Sequence, residues 1–462
     1  MTGQKWVRLA MDFEFLLRAY NKMCLAAVFP AIVFSVGTNS FGKEPPKLTD
    51  VRIIDAANGQ VKEFFHTPPE LWRKYDPDKI YPRGRVFMYS MYSVENRDDM
   101  AKMKRDGFTC IGPYYGVPGD GQGLDYARVS DLKFIARVGM DISWNDPKFV
   151  MPSDSEIREA LTSQVKNLLR MNPAIVWWYL APEELKNYRE NEMHYLKVAT
   201  QAIRAADPEN RPIWMYKQNS NKASDIKDTS PFLDICGKGM YTNLTVGKIK
   251  RIYGRWSIEQ EIEGAKGVNP DSVAIAVPEM HNDPEPQDQH LIDDWTRHDV
   301  YLALVTGAKG VVIWSGFRRN ELRKNYDDYY EGYASVAREV NGPLSLGRVF
   351  LFGERRTDIN VIVTSGPETV TVKPSFVETQ VFPSVSFANI AYGPARYLFL
   401  VNSANASITV NVVGLPSQTV LRRDVFANSD FIESKGGSFS VNLDAFGVKC
   451  FYFSPKLLKW VD

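Results

Sequence analysis

From position 85 onward one unit repeats along the chain: a short run of apolar, β-branched or aromatic residues, then a helical period or a loop leading to one. The runs fall at 86–91, 108–113, 140–144, 175–181, 212–215, 233–236, 273–277 and 310–314. Helical patterns fall at 96–105, 129–138, from Ser153 or Asp154 onward, and at 185–205, 221–227, 257–266, 288–306 and 326–340. Strands connected in this way lie parallel with right-handed crossovers, which leaves an open doubly wound sheet or a closed eight-stranded barrel. Eight units in about 255 residues match a barrel. No glycine-rich dinucleotide fingerprint follows the first run. Gly119, Gly121 and Gly123 sit in a loop without a helix directly behind it, so they read as a flexible substrate-side loop. The expected fold class is α/β, a TIM (β/α)8 barrel over 85–343.

After Gly342-Pro343 the rhythm changes to short strands, expected at 349–352, 359–364, 369–372, 395–401, 407–413, 439–443 and 448–453, with Gly, Pro, Asn and Ser turns between them. That pattern predicts an all-β antiparallel sandwich over 344–462, an accessory domain packed on the barrel wall. Residues 43–84 form a polar N-terminal extension with one hairpin signal, 51–54 and 61–65 around Asn58-Gly59. Within 1–42, the apolar run 24–36 follows Arg18 and Lys22 and has the length of a signal-peptide core, short of a membrane span. The chain is therefore expected to be exported, periplasmic or extracellular, without stable membrane insertion.

Lysine plus arginine (56) and aspartate plus glutamate (55) cancel, so no net field draws in nucleic acid. Cys110, Cys236 and Cys450 lie in or beside apolar runs and are expected as buried thiols. Histidines are too scattered for a metal cluster, and no Gly-x-Ser-x-Gly elbow marks a serine hydrolase. No cofactor and no metal are expected. Aromatic residues make up 12% of the chain, which suits stacking on the apolar faces of sugar rings as well as an ordinary core.

Barrel sites are built at the carboxyl ends of the strands. The stretch Ile-Val-Trp-Trp-Tyr-Leu-Ala-Pro-Glu-Glu at 175–184 is a buried strand running into two carboxylates, Glu183 and Glu184, and 272–279 repeats the pattern up to Glu279. The other strand ends supply Tyr114 and Tyr115, then Trp144 and Asn145, then Tyr216, Lys217 and Gln218. Lys238 and Tyr241 follow the sixth strand, His281 and Asn282 the seventh, and Trp314, Arg318 and Arg319 the eighth. Two opposed carboxyls suit glycoside hydrolysis, one protonating the leaving oxygen while the other attacks the anomeric carbon or activates water. Either of Glu183 and Glu184 could instead cap the following helix. Lys217, Lys238, Arg318 and Arg319 form a basic group expected to accommodate an acidic sugar, or to be plain surface charge. Asn243-Leu244-Thr245 also fits a glycosylation pattern.

The segment Trp178-Tyr179-Leu180-Ala181-Pro182-Glu183 resembles the Trp-Tyr-x-x-Asp-Glu pattern of barrel hydrolases, with proline where aspartate is usual. Over 85–340 the chain resembles the clan A-like superfamily of retaining glycoside hydrolases with a (β/α)8 barrel. That resemblance implies an acid/base glutamate ending the fourth strand, Glu183 or Glu184 with Glu183 preferred, and a nucleophile, Glu279, ending the seventh. It further implies Tyr241 bonding to Glu279, and Trp314 as a platform under the sugar; Trp178 is a separate candidate for a substrate contact. The competing expectations are a carbohydrate-binding protein on a decayed barrel, and a polysaccharide lyase using Tyr241, Lys217 and His281 for proton transfer.

Overall fold

The computed structural model describes residues 52–54, 61–63, 87–94, 97–113, 130–146, 149–171, 174–269, 271–280, 284–317, 324–393, 395–415, 420–422, 425–426 and 431–453. The apolar run 24–36, the loop 116–123, and Tyr114, Tyr115, His281, Arg318 and Arg319 lie outside them. Strand β1 (Arg52–Ile54) pairs antiparallel with β2 (Val61–Glu63), Ile53 opposite Lys62, as the Asn-Gly signal predicts.

Eight parallel strands follow: β3 (Met88–Met91), β4 (Cys110–Ile111), β5 (Lys133–Gly139), β6 (Ile175–Ala181), β7 (Ile213–Lys217), β8 (Ile235–Lys238), β9 (Val273–Ala274) and β10 (Gly310–Ile313). Strands β4 to β9 form one six-stranded sheet in chain order, and β10 pairs in parallel with β3. At one edge the amides of Thr109 and Gly112 donate to Tyr89 O and Met91 O, each at 3.1 Å. At the other, Ala276 N donates to Gly310 O at 2.9 Å and Val312 N to Ala276 O at 2.8 Å. Helices Arg97–Arg105, Asp154–Met171, Glu190–Ala206, Ala223–Thr229, Tyr253–Ala265, Ile292–Thr306 and Tyr326–Asn341 connect or follow the strands.

All seven residues of β6 are buried, so its alternation alone decides which aromatic ring reaches the interior. Tyr179 turns inward and makes edge contacts with Tyr92 and Trp214, centroids 6.0 and 5.0 Å away. Trp178 turns outward, where its indole N–H donates to Asp207 Oδ2 at 2.8 Å, just past helix Glu190–Ala206. At the start of helix Asp154–Met171, Ser153 N donates to Glu156 Oε2 at 2.8 Å, and Ile157, Leu161 and Val165 are buried on one face, as the sequence pattern predicts.

Two of the segments expected from sequence take a different form. The helical reading of 129–138 is replaced by strand β5, and 140–144 is its exit loop rather than a strand. Phe134, Ile135, Ala136 and Val138 are all buried, and a short apolar run of this kind has no period that separates helix from strand. Gly139 ends it at φ +153°, where a Cβ would stand 2.0 Å from Ala181 O; only glycine lets β5 approach the end of β6 so closely. Residues 349–352, expected as a strand, belong to helix Leu346–Phe352, whose Leu346, Val349 and Phe350 are buried together.

The rest is antiparallel: β11 (Glu354–Arg356), β12 (Asn360–Ser365), β13 (Thr369–Val372), β14 (Gln380–Pro383), β15 (Val385–Tyr392), β16 (Ala395–Asn402), β17 (Ile408–Val413), β18 (Val420–Arg422), β19 (Phe431–Glu433), β20 (Ser438–Leu443) and β21 (Val448–Phe453). They form a six-stranded sheet, β11-β15-β16-β21-β18-β19, a three-stranded sheet, β12-β17-β20, and the β13–β14 hairpin. Both faces of β16 are covered. Leu398 and Leu400, with Phe451 and Phe453 of β21, pack against Ile408, Val410 and Val412 of the second sheet. Tyr397, Phe399 and Val401 face the helices instead, with Phe399 4.5 Å from Phe350 and 6.1 Å from Tyr301 between ring centroids. Cys110, Cys236 and Cys450 are buried, and among the described residues no helix is long and apolar enough to cross a membrane.

Candidate active site

Glu183 stands two residues past the end of β6, half-buried, and its Oε2 accepts the hydroxyl of inward-facing Tyr179. Burial raises its pKa to about 7; the Tyr179 hydrogen bond and Arg137 oppose the rise, and the neighbouring charge of Glu184 adds to it. Glu184 takes the left-handed conformation, φ +61°, with its amide on Tyr216 O at 3.0 Å. Its carboxylate accepts Gln218 Nε2 at 2.7 Å. The turn thus separates the two acids: one lies against the interior phenol, the other against the exit of β7.

Glu279 follows β9 and bridges in parallel to Trp314 beyond β10. It is 1% exposed. The amide of Asn243 donates to its Oε1, and Tyr333 Oη donates to its main-chain oxygen at 2.9 Å. Burial pushes its pKa up to about 8, against the pull of the Asn243 amide, the Arg251 guanidinium and the Leu244 amide; the Asp299 charge adds to the rise.

Three rings in series form a shelf across the strand ends. Tyr216 stacks on Tyr241 at 6.1 Å, and Tyr241 on Trp314 at 5.4 Å, with interplanar angles of 21° and 28°. Tyr216 is fixed by its hydroxyl on Asn219 Oδ1 at 2.9 Å. The Tyr241 phenol is pushed up by burial and by the charges of Glu183 and Glu279 among others, so it lies within electrostatic reach of both. The Trp314–Ser315 peptide is cis.

Several expected contacts lie elsewhere. Lys217 and Lys238 point away from the shelf, on the outward alternation of β7 and β8, so the basic group is not assembled as expected. Lys238 is buried under helix Tyr253–Ala265, with Nζ on Ser257 Oγ at 2.7 Å and 4.2 Å from the Trp256 ring. Lys217, the neighbour in register, is near Cys236, Asp225 and Asp228. The inward positions hold Trp214 and Gly237 instead: a Cβ on Gly237 would sit 2.6 Å from Trp214 Nε1. Trp178, as described, turns outward. Trp144 packs on Phe149 and Tyr195 at 5.1 and 5.8 Å, and exposed Asn145 accepts Arg189 Nη1 at 3.3 Å, both to one side. Tyr92, Tyr179, Trp214, Asn243 and Arg251 also belong to the site and are not among the residues expected at the strand ends. The first three were accessible from strand alternation, had one inward residue been known; Asn243 and Arg251 carry no local signal. Among the described residues no cluster of three His, Cys, Asp or Glu side chains is placed to hold a metal.

No family model matches the sequence, and none of the curated proteins matches it. Solved structures do. An Anoxybacillus alpha-amylase, described as representing a new glycosyl hydrolase subclass, aligns over 80% of this chain and 98% of its own, with TM-score 0.51 and 10% identity. The alpha-amylase of Geobacillus thermoleovorans in complex with acarbose aligns over 80% and 99%, with TM-score 0.49 and 11% identity. A GH27 β-L-arabinopyranosidase from Geobacillus stearothermophilus aligns over 81% and 97%, with TM-score 0.48 and 11% identity. The Anoxybacillus likeness shows that the chain shares the fold of that enzyme. At 10% identity it is a likeness of fold and singles out no family.

Proposed function

We propose that the protein is an exported glycosidase whose parallel strands close into a (β/α)8 barrel over 85–343, with the antiparallel sheets of 344–462 as an accessory sandwich. Hydrogen bonds at both edges of the six-stranded sheet support closure. One observation carries the activity: Glu183 and Glu279, from the ends of the fourth and seventh parallel strands, are both desolvated and both within electrostatic reach of Tyr241 on an aromatic shelf.

The surroundings divide the roles. Glu183 is desolvated and stands beside a second carboxylate, which favours a retained proton and the acid/base role against the pull of the Tyr179 hydroxyl. Glu279, which burial pushes up, meets backbone N–H groups and faces Arg251, and these pull it back toward the anion that the nucleophile's role requires. In the first step a Glu279 oxygen bonds to the anomeric carbon as the glycosidic C–O bond breaks, and the Glu183 proton passes to the leaving oxygen. In the second, Glu183 takes a proton from water, whose oxygen bonds to the anomeric carbon and releases Glu279. Trp314 and Tyr241 offer a flat apolar surface to the C–H face of a sugar. With Lys217 and Lys238 turned outward, Arg318 and Arg319 are the remaining candidates for an acidic group on the substrate.

The test incubates the signal-free chain and its Glu279→Gln variant with neutral and acidic plant, algal and host glycans, following new reducing ends and the anomer first released. Turnover with retained configuration, absent in the variant, is expected. Inverted configuration would recast Glu279 as a base, and a wild type that cleaves no glycan overturns the reading.

A further inference from the structure

A chain of buried polar groups leads away from Glu279 and ends in the antiparallel sheets. It begins at Asn243, whose amide donates to the Glu279 carboxylate while its side-chain oxygen accepts Arg251 Nη1 at 3.1 Å. Arg251 Nε donates to Asp299 Oδ1 at 2.8 Å and Nη2 to Asp299 Oδ2, a two-pronged pair whose members are each about 1% exposed. His298, wholly buried on the same helix, places Nδ1 3.0 Å from Asp299 Oδ1 and Nε2 2.9 Å from Ser403 Oγ. A carboxylate only accepts, so Nδ1 carries the proton. Burial keeps the ring neutral, so Nε2 receives the Ser403 hydroxyl. Ser403 follows β16, and its amide donates to Ser384 O at 2.7 Å, between β14 and β15.

Stability does not explain such an arrangement. A buried ion pair is often no better than apolar residues of the same shape, because each charge gives up its hydration. Core packing between Phe399, Phe350 and Tyr301 already joins the sheets to the helices. The chain does one thing an apolar contact cannot: it fixes the amide and the guanidinium that face the Glu279 carboxylate.

We propose that Asn243, Arg251, Asp299, His298 and Ser403 form a positioning relay, through which the antiparallel sheets hold the Glu279 carboxylate in place. Its kinetic consequence rests on the glycosidase reading; its electrostatic consequence does not. The charged and titratable groups that face Glu279 are Arg251, Asp299 and the phenols of Tyr241, Tyr253 and Tyr329, and of these Arg251 alone favours the anion.

Two measurements decide it. The first needs no substrate. The folded pKa of Glu279 lies above its ordinary value, so the stability gained on Glu279→Gln should grow as pH rises from about 4.5 to about 8 and then level off. In the full-length double variant Arg251→Gln/Asp299→Asn, which removes both charges together, that window should extend higher by about half a pH unit, roughly a threefold change in the ionisation constant. The second is kinetic, on whichever glycan of the panel the wild type cleaves. Ser403→Ala should lower kcat by about tenfold with KM within about twofold, and Ser403→Thr should restore it, since a misplaced reacting group loses rate rather than ground-state binding. A window that stays in place while the melting temperature falls would show the chain to be structural only and overturn the proposal. So would kcat unchanged in Ser403→Ala. A wild type that cleaves nothing defeats the glycosidase reading, and the stability window still decides the relay.

Discussion

Glu183 and Glu184 are adjacent in sequence, yet their carboxylates are held on different sides: Glu183 by the hydroxyl of Tyr179, Glu184 by Gln218 Nε2 at 2.7 Å. The left-handed turn at Glu184 separates them while leaving its charge close enough to help raise the pKa of Glu183. With Glu183 raised to about 7 and Glu279 to about 8, kcat/KM should follow a narrow bell whose limbs belong to the pair as a whole. Glu184→Gln removes a charge that favours the protonated form, so the limb near 7 should move to lower pH and widen the bell. Glu183→Gln should lower kcat by roughly 10²- to 10⁴-fold at every pH. A pH–rate profile of the three proteins checks both; an unmoved limb in Glu184→Gln would detach that residue from the site.

Trp314 and Tyr241 share one stacked surface, so they should contribute to sugar binding together. Loss of a good aromatic contact is worth about 0.5–1.5 kcal/mol. Trp314→Ala should therefore raise KM by roughly three- to tenfold on the substrate found. Tyr241→Phe keeps the ring but removes the hydroxyl near both carboxylates, so it should act mainly on kcat. Steady-state kinetics of the two variants separates the effects; similar changes in KM for both would argue against the shelf.

Lys238 is buried on the outer side of β8, and nothing ties it to the chemistry. Burial lowers its pKa from 10.5 to about 7, so its contribution to stability is greatest at high pH and falls as pH drops through that window. Lys238→Met should remove that dependence, leaving the protein equally or more stable at pH 6, with kcat/KM within about twofold of wild type. Thermal melts at pH 6 and 9 beside activity assays are sufficient. A large loss of activity with an unchanged melt would return Lys238 to the substrate site.

Gly139 and Ala181 bring β5 against the end of β6, two residues before Glu183. A Cβ at Gly139 meets Ala181 O at 2.0 Å, and the φ of +153° is strained for any side chain. Gly139→Ala should destabilise the protein by roughly 2–4 kcal/mol. It should also lower kcat of the folded fraction, since the strand end that carries Glu183 must shift. Denaturant melts combined with kinetics well below the transition would show whether the two effects go together.

The alternation of apolar runs with helical periods was enough to place seven of the eight parallel strands within a few residues, because a strand buried on both faces must be apolar along its length. It failed at β5, where Phe134, Ile135, Ala136 and Val138 fit either element and only pairing with β4 and β6 makes a strand. It also failed at β15, whose eight residues form a strand between β11 and β16 but carry little alternation of their own.

Within the site, sequence by itself determined that carboxylates and aromatics stand where the strands end, since these follow apolar runs directly in the chain. Tertiary structure decided which of them face inward. A strand presents its residues alternately to two buried faces, and composition does not distinguish those faces when both are apolar. Hence Tyr179 rather than Trp178 meets Glu183, and Trp214 and Tyr216 rather than Lys217 line the interior. The surroundings of Glu279 were likewise beyond the reach of sequence. Asn243, Arg251, Asp299 and Ser403 are separated by up to 160 positions, and only folding brings them into one hydrogen-bonded chain.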